Sequence, residues 1–174
     1  MPTPPRCPRL LPLIALLVLA GCDTTNPGGN LDLVEGTYTL AELSFDPTTT
    51  DLSTADVMRD LDPEATRLTI FGGGGNSLLA VRRRGGATRR IDLRTRASRE
   101  RVTFEAVTRE DEESLAGLLL PGSFALSYDG ERPNVLEGSL RRSGVDLQAF
   151  DPDRYQDQRS NSGQLSVRFE REGR

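Results

Sequence analysis

Between Val34 and Phe169 apolar residues return at every second position in one short segment after another, and most segments end near a glycine, an aspartate or a proline. Period-two alternation is the pattern of a strand with one buried and one wetted face, and breaks of this composition are turn chemistry. A chain written this way has little to bury in helices. Its apolar faces must meet across two stacked sheets, or one sheet must curl onto itself.

The segments can be followed in order. Gly36–Phe45 carries Tyr38 and Leu40 on one face and then shifts phase to Leu43 and Phe45, which predicts a bulge or bend. Leu68 with Ile70, Leu79 with Val81, and Ile91 with Leu93 follow, then Val102, Phe104 and Ala106. Phe124, Leu126 and Tyr128 form the next group, then Leu136, Gly138 and Leu140, a late piece with Val145 and Leu147, and a last strand with Leu165, Val167 and Phe169. Gly72 to Asn76, Gly85-Gly86, Asp129-Gly130 and Ser143-Gly144 cue hairpin loops between them. Thr54 to Leu61 and Glu110 to Leu120 break the rhythm and are expected to form short helices. The predicted fold is therefore mainly β, a small antiparallel up-and-down barrel of eight or nine strands with one or two short helices. A β-sandwich is the alternative, but closure removes exposed strand edges. Tyr38, Phe104, Phe124, Tyr128 and Phe169 are the aromatic candidates for the barrel interior.

Ahead of this domain, Arg6 and Arg9 precede the apolar run Leu10 to Leu19, and Leu19-Ala20-Gly21-Cys22 closes it. The run is about half the roughly 20 residues that a transmembrane helix needs, so it reads as a secretory signal. The cysteine after Leu-Ala-Gly resembles the lipobox of bacterial lipoproteins. That resemblance implies cleavage after Gly21, a diacylglyceryl group on the Cys22 thiol, and anchoring in the bacterial cell envelope. The anchor would sit in the inner or outer membrane, with the domain facing the periplasm or the surface. Acyl chains contribute about 0.8 kcal/mol per buried methylene, so two or three hold a protein firmly without a membrane span. The expected organisation is a signal peptide over 1–21, a Gly- and Pro-containing tether over 22–33, and one domain over 34–174.

Removal of residues 1–21 leaves 153 residues, enough for one core, and takes the formal charge from −4 to −6 by loss of Arg6 and Arg9. The chain has no histidine, tryptophan or lysine, and all 22 basic residues are arginine. Cys7 leaves with the signal and Cys22 is committed to lipid. Histidine-based triads, lysine Schiff bases and thiolate or imidazole metal sites are thereby excluded from the mature domain. Carboxylate chemistry survives, for instance Glu105 with Glu137, as do oxygen-ligand cation sites. The acidic clusters Asp60, Asp62, Glu64 and Asp151, Asp153, Asp157 lack EF-hand spacing and carry a proline, and read as turns. Gly72 to Gly75 has no Gly-Lys-Ser/Thr after it and reads as a hairpin tip, not a phosphate cradle. No cofactor, metal or catalytic residue is expected, and the reading is non-enzymatic.

Gly36-Thr37-Tyr38, opening the first strand, is similar to the Gly-x-Trp signature of lipocalins, with tyrosine where that family has tryptophan. Arg168 or Arg171 in the last strand would supply the basic residue that packs over it. The resemblance implies an up-and-down barrel whose cavity takes a small apolar or amphipathic ligand, and brings no catalytic residue with it.

The densest local feature is Arg82 to Arg101, where nine arginines fall within 20 residues. Arg90, Arg94 and Arg96 are expected on the strand face opposite Ile91 and Leu93. Such a stripe suits phosphate or carboxylate through paired hydrogen bonds, and hence an acidic protein or an envelope polymer. The alternative is a solvated edge balanced in part by Glu110 to Glu113. Nucleic acid is not expected, because few aromatics are interleaved.

Overall fold

The computed structural model describes residues 31–49, 51–129 and 133–173. The lipobox residues Leu19, Ala20, Gly21 and Cys22 lie outside them. No helix among the described residues is long and apolar enough to cross a membrane.

The alternating segments become β1 (Gly36–Pro47), β2 (Ala55–Asp56), β3 (Arg67–Ile70), β4 (Asn76–Arg82), β5 (Thr88–Ala97), β6 (Arg101–Ala106), β7 (Ser123–Ser127), β8 (Val135–Val145) and β9 (Asn161–Arg171). From β3 to β9 each strand pairs antiparallel with the next in the chain, and β1 pairs with both β3 and β9. The sheet therefore closes into an eight-stranded up-and-down barrel, with β2 as an extra two-residue strand on β1. A continuous closed ladder excludes the sandwich. The phase shift in β1 is a bulge: the β1–β9 register slips between Leu40 and Glu42. Tyr38 and Leu40 before it, and Leu43 and Phe45 after it, all point into the core.

Three expectations are corrected. Ser143-Gly144 does not turn a hairpin; β8 runs through it with a register shift between Arg142 and Val145, and Gly144 has a φ of 69°. A bulge needs a residue in the left-handed region as a hairpin does, so the two share one sequence cue. Leu147 consequently starts a helical turn, α3 (Leu147–Phe150), where Asp146 accepts a hydrogen bond from the Ala149 N–H at 2.8 Å. Thr54 to Leu61 is not an α-helix but β2 followed by one 3-10 turn, Val57–Asp60. Ala55 and Asp56 are drawn into pairing with Phe45 and Ser44 of β1, and the Asp56 carboxylate then caps the Met58 N–H of a short turn. Finally, Leu31 to Leu33, assigned to the tether, belong to the fold. They form α1 (Leu31–Val34), which buries Leu31 and Val34 in the core.

The helix expected at Glu110 to Leu120 is α2 (Arg109–Ala116), started by a reciprocal cap between Thr108 and Asp111. It ends where Leu120 N–H reaches the Leu115 carbonyl at 3.0 Å and Leu119 N–H the Ala116 carbonyl at 2.9 Å. This is a Schellman ending with Leu119, φ 62°, at the place usually held by glycine. Together with α3 and the 3-10 turn, α2 caps one barrel end through Val57, Leu61, Leu115, Leu118, Leu120 and Leu147, all buried. At the other end α1 packs beside the start of β1 and the finish of β9.

Candidate functional site

Inward positions of the eight barrel strands carry the aliphatic and aromatic side chains, and these meet in one cluster. Any internal space wide enough for water would leave accessible surface on the residues around it. Tyr38, Leu43, Phe45, Leu68, Val102, Phe104, Leu126, Leu136 and Leu165 have none. Phe124 and Phe169 are also buried inside, with the Phe104 and Phe124 rings 5.2 Å apart. Tyr128 lies just beyond β7 at the rim, where its hydroxyl donates to the Ser98 carbonyl and fastens the β5–β6 turn. The ligand cavity implied by the lipocalin resemblance is thus filled by the protein's own side chains.

The basic residue over Tyr38 is Arg171; Arg168 instead pairs with Glu170 on the outer wall at 2.9 Å. The Arg171 guanidinium lies 5.2 Å from the Tyr38 ring centre. It donates to the Tyr38 hydroxyl at 2.8 and 3.2 Å, to the Glu35 carbonyl at 2.8 Å and to the Leu33 carbonyl at 3.0 Å. Tyr38 in turn donates to the Val34 carbonyl at 2.9 Å. Burial pushes the phenol above its ordinary pKa, and the Arg171 hydrogen bond only partly opposes this. One arginine thereby ties the last strand to α1 and to the first strand.

The arginine-rich segment divides by function when its partners are traced. Arg82 is held by Asp62, Arg84 donates to the Leu61 carbonyl at 3.1 Å, and Arg89 comes within 3.8 Å of Glu110. These arginines serve the fold. Arg90, Arg94 and Arg96 stand exposed on the outer face of β5, while Ile91 and Leu93 between and beside them are buried. None of the three forms an ion pair or side-chain hydrogen bond among the described residues. Glu110 to Glu113 do not neutralise them: Glu110 faces Arg89 and Glu113 pairs with Arg109 at 3.1 Å. Along a strand, alternate residues are about 6.7 Å apart, so Arg94 and Arg96 present adjacent forks and Arg90 a third about 13 Å from Arg94. The stripe has two acidic neighbours. Asp92 lies on the same face, and Glu105 of β6 is opposite Arg94 in the register. The surface is net positive and arranged to meet anions one side chain at a time.

The remaining carboxylates do not converge. Glu105 and Glu137 are both exposed on the outer wall with β7 between their strands. Asp62 is committed to Arg82, which holds its carboxyl below the usual range. Asp151 accepts from the Arg154 N–H at 3.1 Å as a local turn. Among the described residues no group of three or more potential ligands is gathered for a metal. One residue that sequence reasoning passes over is Arg142, which follows Leu136, Gly138 and Leu140 on the inward row of β8 and is half-buried at the capped end. Ser143-Gly144 beside it carries the sequence cue of a turn, which would place Arg142 in solvent.

No protein-family model matches the chain, and neither the curated proteins nor the solved structures give a significant match to it.

Proposed function

We propose that this chain is a non-enzymatic, lipid-anchored module of the bacterial cell envelope, held to the membrane through Cys22, that docks an acidic surface against the β5 arginines. The observation that carries the docking is the row Arg90, Arg94 and Arg96, exposed and without ion-pair partners on a rigid barrel wall. Asp92 and Glu105 offset this charge only in part, and no ion pair or side-chain hydrogen bond within the described residues uses the three guanidinium groups. An acidic protein or envelope polymer would supply the missing carboxylates or phosphates through two-pronged hydrogen bonds. The packed interior supports an interaction role over carriage of a ligand within the barrel. The anchoring is supported by Leu19-Ala20-Gly21-Cys22 alone.

Site-specific photo-crosslinking in cells tests the docking. A crosslinker at Thr103, which faces Arg96 across the β5–β6 register, should capture a partner. One at Ser166, on β9 across the barrel, should not. Reversing Arg90, Arg94 and Arg96 to glutamate should abolish the Thr103 adduct, and equal adducts with and without the reversal would refute the docking face. For the anchor, Cys22→Ser should lose partition into detergent; retention would remove the lipid assignment.

A further inference from the structure

Outside the packed barrel, the capped end holds a cleft of about 370 Å³ between the end of α2, the β8 bulge, α3 and the β4–β5 turn. Its charged walls are Arg142 and Arg83, and its apolar walls include Leu119, Val145 and Phe150. Three features meet at this cleft. First, Arg142 has its Nε buried with no hydrogen-bond partner among the described residues. Burial lowers its pKa, and no carboxylate acts on it in the opposite direction. A buried donor left unmade costs about 1–3 kcal/mol, and more when the group is charged. Second, Leu119 is held in the left-handed region, where a leucine costs about 1–2 kcal/mol relative to the ordinary helical conformation. In exchange its side chain is buried at the cleft wall instead of trailing into solvent. Third, the bulge with Gly144 at φ 69° sits between Arg142 and Val145, so it sets how the guanidinium and the apolar wall face each other. Strain and unpaired polar groups that gather at one concave place are the usual mark of a binding site.

The one acidic side chain in the cleft, Asp146, is engaged by the Ala149 N–H at 2.8 Å and forms no ion pair with Arg142 or Arg83. The charge left without a counter-ion at the cleft is therefore cationic, and the lining beside it is hydrocarbon. We propose that this cleft binds a small anionic amphiphile, its carboxylate or phosphate head on Arg142 and Arg83 and its apolar portion against Leu119, Val145 and Phe150. The site is independent of the β5 stripe, which lies on the outer wall and takes its anions one fork at a time. The cleft is partly open to solvent, with a cationic wall beside an apolar one, and so selects for a head joined to a short apolar tail.

Titration calorimetry on the full chain in zwitterionic nanodiscs, with water-soluble probes, decides this. Hexyl phosphate and hexanoate should give saturable binding, while 1-hexanol and inorganic phosphate should each bind at least about tenfold more weakly, since each lacks one half of the recognition. The ratio of hexyl phosphate to hexanoate affinity then says which head the site prefers. Arg142→Gln should weaken the better probe about tenfold or more, with the melting temperature little changed because the half-buried guanidinium has no hydrogen-bond or ion-pair partner to lose. Arg83→Gln, at an exposed position, should weaken it less and keeps the test valid if Arg142→Gln fails to fold. Absence of saturable binding by both probes would overturn the proposal, as would equal binding of inorganic phosphate or unaltered binding in both variants. Reversal of Arg90, Arg94 and Arg96 should leave probe binding unchanged, so failure of the docking face and failure of this cleft read out separately.

Discussion

Replacing Arg171 by methionine tests whether the barrel is held shut by one side chain at the end that α1 covers. Methionine keeps an apolar stem of similar length and removes the guanidinium, with its contacts to Tyr38 and to the Leu33 and Glu35 carbonyls. Hydrogen bonds to a charged group are worth about 1.5–3 kcal/mol each when desolvated, and a cation over an aromatic face adds about 0.5–1 kcal/mol at an exposed site. Arg171 is only half-buried, so its three partners together are discounted to a total of about 3 kcal/mol. For a domain of this size that corresponds to a fall in Tm of about 10 °C. The assay is thermal and urea unfolding of Arg171→Met, Tyr38→Phe and the double variant, read by circular dichroism. Tyr38→Phe removes the acceptor for Arg171 and the donor to the Val34 carbonyl, so the two single losses should overlap. A coupling of about 1 kcal/mol or more is expected from groups in one hydrogen-bond network. A Met variant within about 1 kcal/mol of the parent would show that Arg171 is decoration on a barrel closed by its ladder alone, and strictly additive losses would refute its coupling to Tyr38.

Acid should reveal what Asp111 contributes. Burial alone would raise its carboxyl, but the Thr108 hydroxyl, the Asp92 N–H at 3.0 Å and the Thr108 N–H at 3.0 Å, with Arg89 nearby, hold it below the ordinary value. The stability it contributes is therefore complete above the unfolded value of about 3.9 and is lost as pH falls through the lower folded value. Asp111→Asn should be less stable than the parent at neutral pH, and the difference should shrink towards about pH 2; a constant difference would contradict the assignment. At Gly163 a Cβ would lie 2.3 Å from the Asp46 carbonyl oxygen and 2.6 Å from the Phe45 ring, so Gly163→Ala should cost about 3 kcal/mol or prevent closure. Urea titration measures this, and a parent-like midpoint would refute the close approach. Phe104→Ala should cost about 3–5 kcal/mol by the same measurement, because the interior has no spare room to relax into around the Phe124 ring.

The barrel was legible because its signal is redundant: every wall strand repeats the same alternation, and the slip from Leu40 to Leu43 announces the bulge without any structure. What alternation does not carry is the meaning of a left-handed residue. Ser143-Gly144 reads equally as a hairpin and as a bulge, and only the partner strand decides between them. Leu119 shows the converse, a left-handed position with no glycine to mark it, held by the burial of its own side chain. The β5 stripe could be placed on its face from spacing, since Arg90, Arg94 and Arg96 share parity. Which of the nine arginines were already taken depended on Asp62, Leu61 and Glu110, contacts 20 or more residues away for Arg82, Arg84 and Arg89 in space or sequence. Arg142 escaped notice because an arginine on an inward row violates the very pattern used to find strands.

Closure by β9 on β1 has a consequence in time. A chain made from its N-terminus lays down seven wall strands before the one that completes β1, whose outer edge stays open throughout. No stage short of Arg171 gives β1 both its neighbours. Sequence-distant pairing of this kind raises the entropic cost of the folding barrier and slows its crossing. The hairpins from β3 to β8 can pair as they emerge, but the ring itself waits for β9, and that last long-range pairing carries the largest loop-closure cost of the fold.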